Sequence, residues 1–148
     1  MADETKSVLE LIDKQTTAKL LTDLVNISSP TGEEAEIAKY LADRFEKVGL
    51  KAILQEADQD RYNAVGVLEG DGSGLSLMFN GHMDTTFTGR EKVGLKGGYG
   101  LLPTVSSGAH AVAENDRIYG LGATNMKGGV AAFTIAAERR SPLIRAWE

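Results

Sequence analysis

Leu75-Ser-Leu-Met-Phe-Asn-Gly-His-Met-Asp-Thr85 is the stretch whose reading decides the fold. Leu75, Leu77 and Phe79 alternate with Ser76, Met78 and Asn80, the period of a strand. The run stops at Gly81 and presents His82 and Asp84, the one His-x-Asp pair in the chain. Residues two apart on an extended backbone point to the same side. His82 could then bind a metal through one ring nitrogen while Asp84 orients the ring through the other, a relay that fixes the tautomer and raises the basicity of the ligand. The ordinary alternative is a polar strand end followed by a turn aspartate. On three residues alone, that alternative is the better reading.

Upstream of this strand, Asn63-Ala-Val-Gly-Val-Leu68 reads as another, and Leu50-Lys-Ala-Ile-Leu54 as a shorter one. Gly70-Asp-Gly-Ser-Gly74 is rich in turn formers, so Asn63–Leu68 and Leu75–Asn80 are expected to pair as an antiparallel hairpin. Two helices come first. One runs from Ser7 to about Ile27, with a Ser7–Glu10 capping box and Leu9, Ile12, Leu20, Leu24 and Ile27 at roughly helical spacing. Thr16-Thr17 are weak helix formers and a place where it can break. The second follows Pro30, with Thr31-Gly-Glu-Glu34 as its capping box and Ile37, Leu41, Phe45 and Val48 as one apolar stripe. Gly49 is placed as its left-handed terminator. Glu33 and Glu34 face different ways on a helix, so capping suits them better than paired acid–base work.

Downstream, Thr86 to about Asp116 shows little periodicity and much glycine, the pattern of a functional or disordered loop. His110 within it reads as a solvated loop histidine. Arg117-Ile-Tyr119 begins a short strand or turn, and a helix follows from Lys127 to about Arg139 with Val130, Phe133, Ile135 and Ala136 toward the core. Pro142 should end it. Between them lies Gly120-Leu-Gly-Ala-Thr-Asn125. A dinucleotide fingerprint would need a third small residue where Asn125 stands, and a P-loop would need Gly-Lys-Ser/Thr, whereas Lys127 lies between Met126 and Gly128.

Length and charge narrow the field. A chain of 148 residues reads as one domain, and 42% hydrophobic content suffices for a core. Sixteen basic against 21 acidic residues, net −5 and without runs, argue against nucleic acid or an anionic membrane as partner. There is no cysteine, which removes disulfides and thiolate metal sites. The N-terminus has no apolar signal-peptide core and no stretch could span a bilayer, so the cytoplasm is the default location.

Asn-Gly-His82-Met-Asp84-Thr and Tyr-Gly-Leu-Gly-Ala-Thr-Asn125-Met-Lys-Gly-Gly together resemble the paired signatures of a dinuclear zinc hydrolase family. That family includes acetylornithine deacetylase, succinyl-diaminopimelate desuccinylase, the aminoacylases and the glutamate carboxypeptidases. Ile27-Ser-Ser-Pro-Thr-Gly-Glu-Glu34 resembles its loop before the second helix, so three segments match in order. The resemblance implies an α/β fold, a mixed sheet flanked by helices as in a zinc-exopeptidase-like catalytic domain, present here in part over residues 1–148. It makes His82 a zinc ligand and Asp84 its orienting partner in catalysis, in a site for two zinc ions that cobalt could replace.

At Asn125 the chain departs from the pattern, because the family has an aspartate there that bridges the two metals. Asparagine offers one carbonyl oxygen and an amide nitrogen without a free lone pair, so it can ligate one metal weakly but bridge none. It is also among the best helix N-caps, and the two readings weigh about equally. By the same resemblance His82, Asp84 and Asn125 should converge, and the Asn125–Met126 peptide should be cis. The family's Glu-Glu pair, further acidic ligand and final histidine do not follow Lys127, nor does a lid-like domain through which a homodimer would form. The expectation is an N-terminal fragment of a zinc-dependent hydrolase of small peptides or N-acyl amino acids, catalytically silent as it stands. The rival is a degenerate relative serving as a binding or scaffold domain.

Overall fold

In the computed structural model, which describes residues 10–89 and 110–145 with side chains as far as Arg139, the first helix starts at an aspartate. Asp13 Oδ1 accepts from the backbone N of Thr16 at 2.8 Å, and its other carboxylate oxygen accepts from the Thr16 hydroxyl. Asp13 thereby caps α1, Lys14–Asn26. Within the helix expected from Ser7, the described residues show Glu10 helical, an interruption at 11–13 and an unbroken helix from Lys14 to Asn26, and Ser7 itself lies outside the described residues. Thr16 and Thr17 do not break the helix. They sit in its first turn, where the hydroxyl of Thr17 donates to Asp13 O at 3.1 Å.

The second helix, α2, spans Ala35–Lys47 and buries Ile37, Ala38, Leu41, Ala42 and Phe45 along one face. It stops where Gly49 takes φ 82, with Gly49 N donating to Glu46 O at 2.9 Å. The expected Thr31–Glu34 capping box does not form. Glu34 precedes α2 without a side-chain cap bond. Its carboxylate accepts from Arg61 Nε at 3.0 Å, Arg61 Nη2 at 2.7 Å and the backbone N of Gly32 at 2.9 Å. A bidentate guanidinium outcompetes a single amide for a carboxylate.

Strands β1, Lys51–Asp58, and β2, Arg61–Val67, pair antiparallel in the register Lys51↔Val67 and Leu54↔Ala64. The link is Gln59-Asp60, with Asp60 in the left-handed region at φ 56. One face lies under α2, so closely that a Cβ on Gly66 would stand 2.9 Å from the Phe45 ring. The expected pairing of Asn63–Leu68 with Leu75–Asn80 is therefore wrong. β2 pairs with β1 across a two-residue turn, and no strand is formed over 75–80. Short-range closure brings β1 to β2 with little loop entropy. The alternating apolar pattern of 75–80 does not by itself name a neighbour.

The mixed sheet with helices on both faces is corrected too. Among the described residues there are two separate two-stranded antiparallel ladders, β1–β2 and β3–β4, the latter formed by Val112–Glu114 and Arg117–Tyr119. Parallel pairing among the described residues is confined to one isolated bridge, Pro30↔Thr85. The class is α/β in content, with small sheets.

The last helix, α3, spans Gly128–Arg145 and buries Val130, Ala131 and Ile135. With Leu20, Leu24, Ile37, Leu41, Phe45 and Leu50 they form the core. Phe133, expected inside it, is only partly buried and stacks on Phe79 with ring centroids 5.7 Å apart. Glu138 is buried against α2, where Arg44 meets its carboxylate through Nε and, at 2.9 Å, Nη2. α3 also runs past Pro142, the residue expected to end it. Proline forfeits its own N–H bond, but its fixed φ is helical, so one lost bond does not stop the turns that follow. No helix among the described residues is long and apolar enough to cross a membrane.

Candidate functional site

Two loops meet beside the ends of α1 and α3. Thr85 N donates to Ser29 O at 2.8 Å and Thr31 N to Thr85 O at 3.1 Å. The hydroxyl of Ser29 donates to Met83 O at 2.7 Å. Ser29 and Thr85 are both buried, so these bonds form away from competing water. The segment carrying His82 and Asp84 is thereby fixed against the loop that leads into α2.

Two glycines let a third segment close in. A Cβ on Gly81 would stand 2.9 Å from Met126 Cε and 3.1 Å from Phe133 Cε1. Gly122, at φ 78, brings the turn Ala123–Lys127 against Thr85, and a Cβ there would stand 2.8 Å from Thr85 Cγ2. Within that turn Asn125 and Met126 leave helical geometry, and the peptide between them is cis. Lys127 is 1% exposed and donates through Nζ to Leu24 O at 2.9 Å and Ile27 O at 2.8 Å. It fastens the turn to the C-terminal end of α1.

The three residues singled out in the sequence come together. His82 Nε2 lies 2.8 Å from Asn125 Oδ1, across 43 positions of chain. His82 Nδ1 lies 3.1 Å from Asp84 Oδ1 and 3.2 Å from Asp84 O. The side chain of Asn125 thus turns its oxygen to the imidazole. With acceptors at both ring nitrogens, the charged ring is favoured: the contact with Asn125 is the largest effect on His82, burial opposes it next, and the contacts with Asp84 add to the rise, leaving the pKa above its ordinary value. Burial pulls the Lys127 ammonium down to about 8, while its two carbonyl acceptors hold the charge in place.

As a donor set, this is one imidazole nitrogen, one carboxylate already turned to that imidazole and one neutral amide oxygen. No three His, Cys, Asp or Glu side chains gather to hold a metal ion among the described residues. Catalytic zinc takes about three protein ligands with an open position. The residues present fit part of such a site and do not complete one. His110 is exposed, in keeping with a solvated loop histidine.

Sequence reasoning missed Thr31, whose hydroxyl donates to Asp84 Oδ2 at 2.6 Å, and the anchoring by Ser29 and Lys127. The Ser-Ser-Pro-Thr run belongs to a segment that resembles a family loop, but nothing in a linear pattern says that the loop touches Asp84.

The comparisons with known proteins agree with the motifs. A Staphylococcus aureus protein named as a probable succinyl-diaminopimelate desuccinylase is 30% identical over 80% of this chain and 26% of its own length. Proteins named as LysW-lysine/LysW-ornithine hydrolases are similar as well. The one from Pyrococcus abyssi is 31% identical over 84% of this chain and 30% of its own. The one from Pyrococcus furiosus is 31% identical over 85% and 31%. The chain thus spans under a third of the length of these relatives. No family model and no solved structure matches it.

Proposed function

From the premise that the chain belongs, over the part it spans, to the family of succinyl-diaminopimelate desuccinylase and the LysW-lysine/LysW-ornithine hydrolases, we propose that it is the N-terminal portion of the catalytic domain of a metal-dependent amide-bond hydrolase. The observation that carries this reading is the convergence of His82, Asp84 and Asn125. In it His82 Nε2 is the metal ligand, Asp84 the carboxylate that orients the ring, and Asn125 Oδ1 a weak oxygen donor where a bridging carboxylate would serve two zinc ions. Bound metal would supply Lewis acidity toward an amide carbonyl and its attacking water. This chain's own residues hold and orient; among the described residues we assign no carboxylate to take a proton, and the lack of such a base lowers a rate by roughly 10²–10⁴. The substrate class is a small peptide or N-acyl amino acid, the compartment the cytoplasm, and dimerisation belongs to a lid-like domain outside these residues.

Zinc or cobalt retention after dialysis tests the reading, read beside hydrolysis of a panel of dipeptides and N-acyl amino acids. Asn125→Asp should raise metal retention, because a second lone-pair-bearing oxygen and a negative charge replace a neutral amide. Hydrolysis should stay at background in both chains. Chelator-sensitive turnover by the unmodified chain would overturn the ligand assignment. A second reading, a non-catalytic binding domain, is favoured by the same neutral residue at 125, and equal, negligible metal retention by both chains would select it.

A further inference from the structure

We infer that Thr31 is a positioning residue of this site: its hydroxyl clamps one oxygen of Asp84 so that the other stays on His82 Nδ1 and Nε2 stays turned toward Asn125. The inference rests on the reading of His82 as a ligand, and it concerns a residue outside the ligand set.

The geometry is specific about which acceptor the hydroxyl serves. A threonine has one O–H to donate. Thr31 Oγ1 lies 2.6 Å from Asp84 Oδ2 and 3.4 Å from Thr85 O. The shorter contact falls in the range of a charge-assisted O–H···O⁻ bond, the stronger kind, so the carboxylate oxygen is the acceptor. A carboxylate's terminal torsion is broad and nearly two-fold, so a single contact to His82 leaves its plane free to swing. A second contact on the opposite oxygen removes that freedom. Asp84 has both: Oδ1 on His82 Nδ1 at 3.1 Å and Oδ2 on Thr31.

Thr31 is itself held. Its backbone N donates to Thr85 O at 3.1 Å, and Thr85 N returns a bond to Ser29 O at 2.8 Å. The clamp and the carboxylate therefore ride on the same pair of hydrogen-bonded segments, one residue from the Pro30↔Thr85 bridge. The branched Cβ of threonine limits its torsion as well. A loop residue with no such duty would place its hydroxyl in water, and the expected capping role would place it on a helix amide; it does neither.

The test compares the full chain with Thr31→Val, which keeps the shape and removes the donor, and Thr31→Ser, which restores the donor. The first readout is the long-range 1H–15N NMR pattern of the His82 ring in metal-free protein, at a pH where the ring is neutral. The unmodified chain and Thr31→Ser should show the Nδ1–H tautomer in excess. Thr31→Val should move toward a mixture of tautomers. The second readout is direct binding of zinc alone, expected to weaken about 3- to 10-fold in Thr31→Val, at or below the 10–100-fold typical of partners that orient a ligand directly, and to return in Thr31→Ser. An unchanged tautomer in Thr31→Val overturns the inference, as does a loss that Thr31→Ser fails to restore. Should Thr31→Val not fold, the unmodified chain decides: a slowly exchanging Thr31 hydroxyl proton supports the clamp and a freely exchanging one overturns it. Because the tautomer needs no metal, it can be read even if no chain binds zinc, an outcome that would sink the ligand reading and leave the clamp standing or falling by itself.

Discussion

Two apolar stripes in this chain meet opposite fates. On α2, Ile37, Leu41 and Phe45 are 0%, 4% and 8% exposed; over 75–80, Leu75, Leu77 and Phe79 are 103%, 79% and 52% exposed. Both stripes are regular in sequence, one with the helical period and one with the strand period. The cover for α2 is supplied by β1 and β2, which follow it at once in the chain, and by the core residues of α1 and α3. The 75–80 stretch stays exposed throughout, with Phe79 stacked on Phe133. Periodicity announces that a face is suited to burial. It does not say what buries it.

The sharpest way to break that contrast is to cut into each region. Ile37 is fully buried on α2, and Ile37→Ala should destabilise by about 2–5 kcal/mol from lost transfer energy plus the cavity left behind. Chemical unfolding, followed by circular dichroism, would measure it. A cost below about 1 kcal/mol would mean that the core is looser than its burial indicates.

A middle-sized effect is expected where the α2 region is tied to β2. The Arg61 guanidinium holds the Glu34 carboxyl down at about 2, against an ordinary 4.5. The folded state thus favours the ionised form, so its contribution is complete above 4.5 and is lost as pH falls from there toward 2. Its size is on the order of 1–3 kcal/mol. Denaturation midpoints across that window should fall more steeply for the unmodified chain than for Glu34→Gln, and parallel curves would show that the pair contributes nothing.

The smallest effect belongs to the exposed stretch. Leu77→Ser should change stability within about 0.5 kcal/mol, as for surface positions generally. It should also reduce concentration-dependent association seen by light scattering, since an exposed apolar stretch of strand period, with its backbone unpaired among the described residues, invites pairing with other chains. A loss matching that of Ile37→Ala would erase the difference between the two regions.

The same contrast marks what was legible in the sequence. The stripe of α2, the left-handed Gly49 and the helix beginning near Lys127 are local patterns, and a local pattern can be read off the chain. The meeting of His82 with Asn125 follows from paired motifs, not from physics acting within either one. What could not be read was partnership. Gly70–Gly74 carries strong turn residues, yet the hairpin turns at Gln59-Asp60, where an aspartate takes the left-handed geometry that glycine would take more easily. Thr31 and Glu34 have the spacing of a capping box, and both side chains are taken by residues elsewhere in the chain, Asp84 for one and Arg61 for the other. Short motifs lose to charged partners that only folding brings near.

Lys127 carries one further consequence. Its ammonium joins the end of α1 to the turn bearing Asn125 and is sealed from solvent. An amine-reactive reagent can therefore reach it only when those two segments part. Its labelling rate, set against that of the exposed lysines on the same molecule, becomes a clock for the opening of the site: each factor of ten in protection corresponds to about 1.4 kcal/mol of closure, in a molecule that carries its own internal standard.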